Sequence, residues 1–177
     1  MIIAAQIIGI LAVAAFLLSY QQKKRKGIIL LNLISRFLYI LQYLLLGAFS
    51  GAVFDVLAAG SSVVAGKKHR KFIKEHIIIV VLCMNAVIIF LGCAMVWYNK
   101  SYVDILSLAG VLFEINALWL SSEKAIRWVS LFGAPFWFAY NMISKAYGSA
   151  IGNILTIISI VIALIRYKKA DDENKNQ

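Results

Sequence analysis

Two polar residues set deep in apolar sequence offer the first candidate chemistry. Asp55 stands in Ser35–Gly66, SRFLYILQYLLLGAFSGAVFDVLAAGSSVVAG, and Asn153 in Gly133–Leu164, GAPFWFAYNMISKAYGSAIGNILTIISIVIAL. An acid in such a stretch is expensive and marks a functional site by default. A carboxylate opposite an amide can hold an unsymmetrical or partly cationic solute, and the carboxylate can also carry a proton. The alternative is a carboxylate tied to a local donor for packing. Aromatic and amide side chains accompany the pair: Tyr39, Gln42 and Tyr43 in the first stretch, Trp137, Tyr140 and Asn141 in the second. Rings with amides suit a flat or ring-shaped solute, through stacking and edge hydrogen bonds. Aromatics at membrane depth also serve simply as packing or interfacial residues. Arg36 and Glu114 lie at similar depths and are expected to form an ion pair, acting as a gate or as a static staple; Arg36 reaching alone to the headgroups is the other option.

Other chemistries lack residues. No Ser/His/Asp or Cys/His arrangement appears, and no paired carboxylates face one span, so no enzymatic activity and no catalytic residue are expected. His69 and His76 sit seven apart in a basic loop without a third ligand, so neither a metal site nor a cofactor is expected. Cys83 and Cys93 share one apolar segment, about 15 Å apart along a helix. That is beyond disulfide reach, and they read as packing residues.

The elements that must position these groups are membrane spans. The chain has 177 residues, 62% of them hydrophobic, with 15% charged and one proline; its mean hydropathy is +0.84. A soluble domain is about half apolar. Seven segments approach the roughly 20 residues that a span needs: Ile2–Tyr20, Ile28–Ala48, Phe49–Gly66, Ile77–Tyr98, Ser101–Leu120, Ala125–Met142 and Ala146–Tyr167. Strand-like alternation is lacking, which disfavours an outer-membrane barrel. The first segment has no basic residue ahead of it and no small-residue cleavage site after it, so it reads as a span and not as a cleavable leader.

The net charge of +10 comes from clusters at span ends, not from a nucleic-acid face. Basic residues follow spans one, three, five and seven, and 15 of the 18 fall on one side of the membrane. Lys100 and Lys145 fall on the other, and Arg36 lies within a span. The positive-inside rule then predicts an external N-terminus and a cytoplasmic C-terminus. The polar tail DDENKNQ is expected to be disordered.

A fixed offset of 98 residues relates two parts of the chain. Residues 28–71 against 126–169 share 9 identities in 44 positions, among them Ala48/Ala146, Ala52/Ala150 and Leu57/Leu155. The offset also aligns Asp55 with Asn153. Two like-oriented three-helix units need an odd linker between them, because three spans end on the side opposite their start. The expected architecture is therefore an all-α membrane protein of seven transmembrane helices in a 3+1+3 order. Residues 1–66 form the first repeat, 67–99 a basic cytoplasmic loop with the linker helix, 100–169 the second repeat and 170–177 the tail.

That order, the external N-terminus and the basic segment after the first span resemble the SWEET, PQ-loop and PnuC transporters. In detail the chain is most similar to the YgjV-type bacterial inner-membrane proteins, through LLSYQQKKRKG, LQYLLLGAFSGAV and SLFGAPFWFAYNMISKAYGSAIGNILTIIS. The resemblance spans residues 2–169 and implies a bacterial inner-membrane location and parallel repeats with a site between them. It places Asp55 and Asn153 where SWEET proteins carry a substrate-binding asparagine pair, and Tyr39 and Trp137 at pocket positions. The chain departs from those families in having Ser19-Tyr20-Gln21-Gln22 where PQ-loop proteins have Pro-Gln, and one acid in the amide pair. The implied function is transport of a small polar or aromatic solute, such as a vitamin, nucleoside or sugar. The alternative is a non-transporting membrane scaffold or accessory subunit. The lipid bilayer is the expected partner and nucleic acid is not; the oligomeric state is left open.

Overall fold

A computed structural model of the chain describes residues 2–21, 25–65, 67 and 70–175. Among the described residues it is all-helical, with eight helices and no strand. In order they are α1 (Ile2–Gln21), α2 (Arg25–Leu46), α3 (Phe49–Ala65), α4 (Lys71–Glu75), α5 (Ile77–Asn99), α6 (Val103–Trp119), α7 (Glu123–Ile143) and α8 (Tyr147–Lys175). A helix covers each apolar segment, because each is a long run whose apolar stretch outweighs an interior breaker such as Pro135 of α7. Three features differ from expectation. Helix α4 is a separate single turn, cut from α5 at His76. Helix α8 continues to Lys175, through most of the tail expected to be disordered. Helices α3 and α6 have only 17 residues each, about 25 Å, short of the roughly 30 Å hydrocarbon core. Among the described residues, Ile77–Asn99 and Tyr147–Ile165 are long and apolar enough to cross a membrane, by length and composition.

The turns following α2 and α7 are built alike. Gly47 and Lys145, 98 residues apart, both adopt positive φ, 70° and 59°. After α2, Ala48 N–H donates to Tyr43 O (2.9 Å) and Gly47 N–H to Leu44 O (3.2 Å). After α7, Ala146 N–H donates to Asn141 O (2.8 Å) and Lys145 N–H to Met142 O (3.2 Å). Each is a Schellman cap, in which a left-handed residue lets the chain satisfy two terminal carbonyls and reverse. Gly47 takes that conformation without steric cost. Lys145 does not, and its carbonyl is held by Gln6 Nε2 at 2.6 Å.

Helix neighbours close a ring: α1 packs on α2, α2 on α3, α3 on α6, α6 on α7, α7 on α8 and α8 on α1. Helix α5 lies outside it, against α6 and α3. Third helices therefore pack on the first helix of the other half. Small residues permit the approach. A Cβ on Gly148 would fall 2.7 Å from the Gly9 carbonyl carbon, so α8 and α1 meet backbone to backbone. One on Gly92 would fall 2.5 Å from Leu108 Cδ1, where α5 meets α6. Cys83 and Cys93, expected as packing residues, are instead exposed, because the buried stripe of α5 carries Ile88 and Gly92. Trp97, Tyr98 and Tyr102 are also exposed, at adjacent ends of α5 and α6.

Candidate functional site

Helices α2 and α7 bury Gln42, Tyr43, Trp137, Tyr140 and Asn141, while Phe37, Trp128 and Phe132 are exposed. Tyr43, Trp137 and Tyr140 are buried together. The Tyr43 and Trp137 rings stack with centroids 6.5 Å apart, and Tyr140 meets both edge-on at 6.1 and 5.9 Å. The Tyr43 hydroxyl donates to Asn141 Oδ1 (2.8 Å), and Asn141 Nδ2 donates to Asn153 Oδ1 (2.7 Å). Tyr43 and Asn141 are themselves 98 residues apart. That separation is the offset at which the two stretches of the sequence align.

Around the Tyr43–Asn141 bond, further contacts come in pairs whose residues are related by the same offset. Ser149 Oγ donates to Gln42 Oε1 at 2.5 Å; the positions equivalent to Gln42 and Ser149 are Tyr140 and Gly51, and Gly51 N–H donates to the Tyr140 hydroxyl at 2.8 Å. Gly148 N–H donates to Gln6 Oε1 at 3.2 Å; the equivalents of Gln6 and Gly148 are Asp104 and Ser50, and Ser50 Oγ donates to Asp104 Oδ1. In this second pair, the first helix of each half caps the start of the third helix of the other half. Asp104 is buried with neutral partners, Ser50 and Asn99 Nδ2 (2.7 Å). Its place near the N-termini of both α6 and α3 suits an anion, since helix starts carry partial positive charge.

The charged residues gather elsewhere, in one cluster drawn from α2, α3 and α6. Arg36 of α2 bridges α3 and α6, donating from Nη1 to Asp55 Oδ1 (2.9 Å) and from Nη2 to Glu114 Oε1 (2.5 Å). Side-chain exposures are 14% for Arg36, 10% for Asp55 and 32% for Glu114. The positions 98 residues away from these three are Ala134, Asn153 and Phe16, which carry no charge. Arg36 sits about 16 Å along α2 from its start, near mid-length, where the expected option of reaching headgroups is closed and paired carboxylates satisfy it instead.

The candidate residues thus divide. Asp55 and Asn153, expected to face each other across the axis, are bonded into separate clusters. The reason is Arg36: a guanidinium makes a stronger, charge-assisted bond to a carboxylate than an amide does. Trp137, expected at a pocket position, stacks on Tyr43 among buried rings, while Tyr39 packs its hydroxyl against Gly152 of α8.

Gln42 and Tyr140, noted only as company for the others, turn out to make the exchanged contacts. Gln6, Ser50, Asp104, Ser149 and the reciprocal Asn85–Asn116 pair (2.8 and 3.0 Å) between α5 and α6 were not singled out. The one signal for them was the 98-residue offset, which aligns Gln6 with Asp104 and Gln42 with Tyr140 as unlike residues. Gln42 Nε2 and Trp137 Nε1 are buried donors without a partner. No group of three or more potential metal ligands occurs among the described residues; His69 lies outside them, and His76 Nδ1 is 3.0 Å from Phe72 O. Two recesses, of about 420 and 530 Å³, open on the outer surface: one beside Leu33, Arg36, Phe37 and Ala59, the other beside Cys93, Trp97, Tyr102 and Leu108.

A family model described as Imp-YgjV, bacterial inner membrane protein, matches residues 3–171. No curated protein and no solved structure matches the chain.

Proposed function

The chain belongs to the Imp-YgjV family of bacterial inner membrane proteins, and from that premise we propose that it is a small-solute transporter or facilitator of seven spans in a 3+1+3 order. In this reading α1–α3 and α6–α8 are parallel repeats, α5 is the linker and α4 a short elbow. The distribution of basic residues supports an external N-terminus and a cytoplasmic C-terminus. The observation that carries the proposal is the Tyr43–Asn141 bond between equivalent positions, flanked by exchanged pairs. Parallel repeats meeting on an axis, with polar and aromatic groups at the meeting point, are a transporter plan.

The site is the Tyr43, Trp137, Tyr140 and Asn141 cluster, extended by Asn153 and bordered by Asp55. Its unpartnered donors, Gln42 Nε2 and Trp137 Nε1, favour a solute rich in hydrogen-bond acceptors. The solute passes chemically unchanged. The Arg36–Glu114 bond ties α2 to α6 and acts as a gate, while Gln6–Gly148 and Ser50–Asp104 tie the halves at the ends of α8 and α3. Separating the halves at one end requires breaking one of these sets.

The non-transporting scaffold is favoured by one observation: the centre is filled by side chains bonded to one another. A thermal-shift screen of vitamins, nucleosides and sugars on purified protein separates the readings, since a ligand that binds the folded state raises its stability. A transporter is stabilised by one class, and Asn141→Ala loses that response. If a ligand is found and Asn141→Ala and Tyr43→Phe bind and transport it normally, the axial cluster is not the site.

A further inference from the structure

Helix α4, with Arg70 just before it, has three differently built faces. Ile73 of α4 packs inward on the core beside Ile77. Phe72 stands out, 70% exposed, its ring 4.9 Å from that of His76. Arg70, Lys71 and Lys74 form a third face. Arg70 and Lys74 are one helical turn apart, with Lys74 N–H bonded to Arg70 O at 2.9 Å. Lys67 precedes them, joined through Arg70 N–H to Lys67 O at 2.9 Å. All four cations are exposed. Among the described residues none has a carboxylate within ion-pair distance, not even Glu75, one turn from Lys71.

We infer that this elbow is a binding site for the phosphodiester headgroup of an anionic phospholipid. Like charges at three- and four-residue spacing destabilise a helix, and a five-residue helix has little stability of its own to oppose them. Partner anions from outside the chain remove that repulsion. The elbow lies between α3 and the long apolar α5, which places its cations at the edge of the hydrocarbon, at the depth of lipid phosphates. Phe72, beside them, has the size and exposure to enter the acyl boundary, as aromatic residues of interfacial helices do. A soluble anion would make no use of Phe72, so the pairing of ring and cations selects a lipid. This inference does not depend on transport.

The test places the full-length chain carrying Phe72→Trp in phosphatidylcholine vesicles doped with brominated phosphatidylglycerol or brominated phosphatidylcholine at equal bromine content. Fluorescence of the parent chain, with Trp97, Trp119, Trp128 and Trp137, is subtracted. The expected result is stronger quenching of the introduced indole by the brominated anionic lipid. That preference should fall about fivefold for each of Arg70→Gln, Lys71→Gln and Lys74→Gln. Equal quenching by the two lipids overturns the inference without any cationic substitution. A preference untouched by the three Gln changes overturns it as well. So does its abolition by millimolar inorganic phosphate, which would make the ligand a soluble anion.

Discussion

Replacing Arg36 by Gln should damage the protein far more than replacing either of its acidic partners. Arg36 is the single cation of a cluster with two carboxylates, and all three groups lie in apolar surroundings. Asp55→Asn leaves Arg36 with Glu114, and Glu114→Gln leaves it with Asp55. Each leaves a balanced pair and loses one charge-assisted hydrogen bond, a loss of about 1–3 kcal/mol. Glu114, a third exposed, belongs at the low end, since solvent weakens its pair. Arg36→Gln instead leaves two carboxylates facing a neutral amide, and breaking a buried pair in this way costs about 3–5 kcal/mol. At about 2–4 °C per kcal/mol for a chain of this size, that is a fall of roughly 6–20 °C in Tm. The assay is thermal unfolding in a mild detergent, followed by the monodisperse fraction recovered on size exclusion. The triple variant Arg36→Gln, Asp55→Asn, Glu114→Gln is the decisive control. Neutral groups of matching shape should recover most of the loss, because exchanging a buried ionic cluster for neutral packing is often without cost. The reasoning is refuted if Arg36→Gln is no worse than Glu114→Gln, or if the triple variant is no better than Arg36→Gln.

Three further expectations can be checked, the first two on the same preparation. Gly148→Ala should destabilise by about 1–3 kcal/mol through overpacking, since its Cβ would strike the Gly9 backbone, whereas Gly60→Ala, with open space at its Cβ, should stabilise by about 0.4–1 kcal/mol; equal Tm values would argue against the α1–α8 crossing. Tyr43→Phe should lower stability by about 1–3 kcal/mol, because Asn141 Oδ1 loses its buried donor, and Asn141→Leu combined with it should cost less than the sum of the two singles; strict additivity would mean that the two side chains never meet. In intact cells, a cysteine at Tyr102 should react with an impermeant maleimide and one at Ser121 should not, in a background with Cys83 and Cys93 replaced; the reverse pattern would invert the proposed orientation.

Hydropathy and charge were legible in the chain because they are sums over neighbouring residues. The long apolar runs placed α1, α2, α3, α5, α6, α7 and α8 to within a few residues, and the family match over residues 3–171 agrees with the membrane class and the bacterial inner-membrane likeness read from the residues. The 98-residue offset was visible too, through small residues such as Ala48 and Ala146 that both turns require. The helix α4 was missed, since five residues cannot establish a periodicity and its existence rests on Ile73 reaching the core.

Partner choice could not be read in this way. Asp55 and Asn153 matched each other in the one-dimensional comparison, yet Asp55 is claimed by Arg36 and Glu114, from two other helices. The two residues 98 positions apart that do touch are Tyr43 and Asn141, chemically unlike and therefore silent in any comparison that rewards likeness. The Asp104–Ser50 and Gln6–Gly148 contacts join residues 54 and 142 positions apart. A residue's type determines what kind of partner it needs, and that much is local. Which partner it receives depends on how the ring of helices brings distant positions within 3 Å, and only the packed tertiary structure decides that.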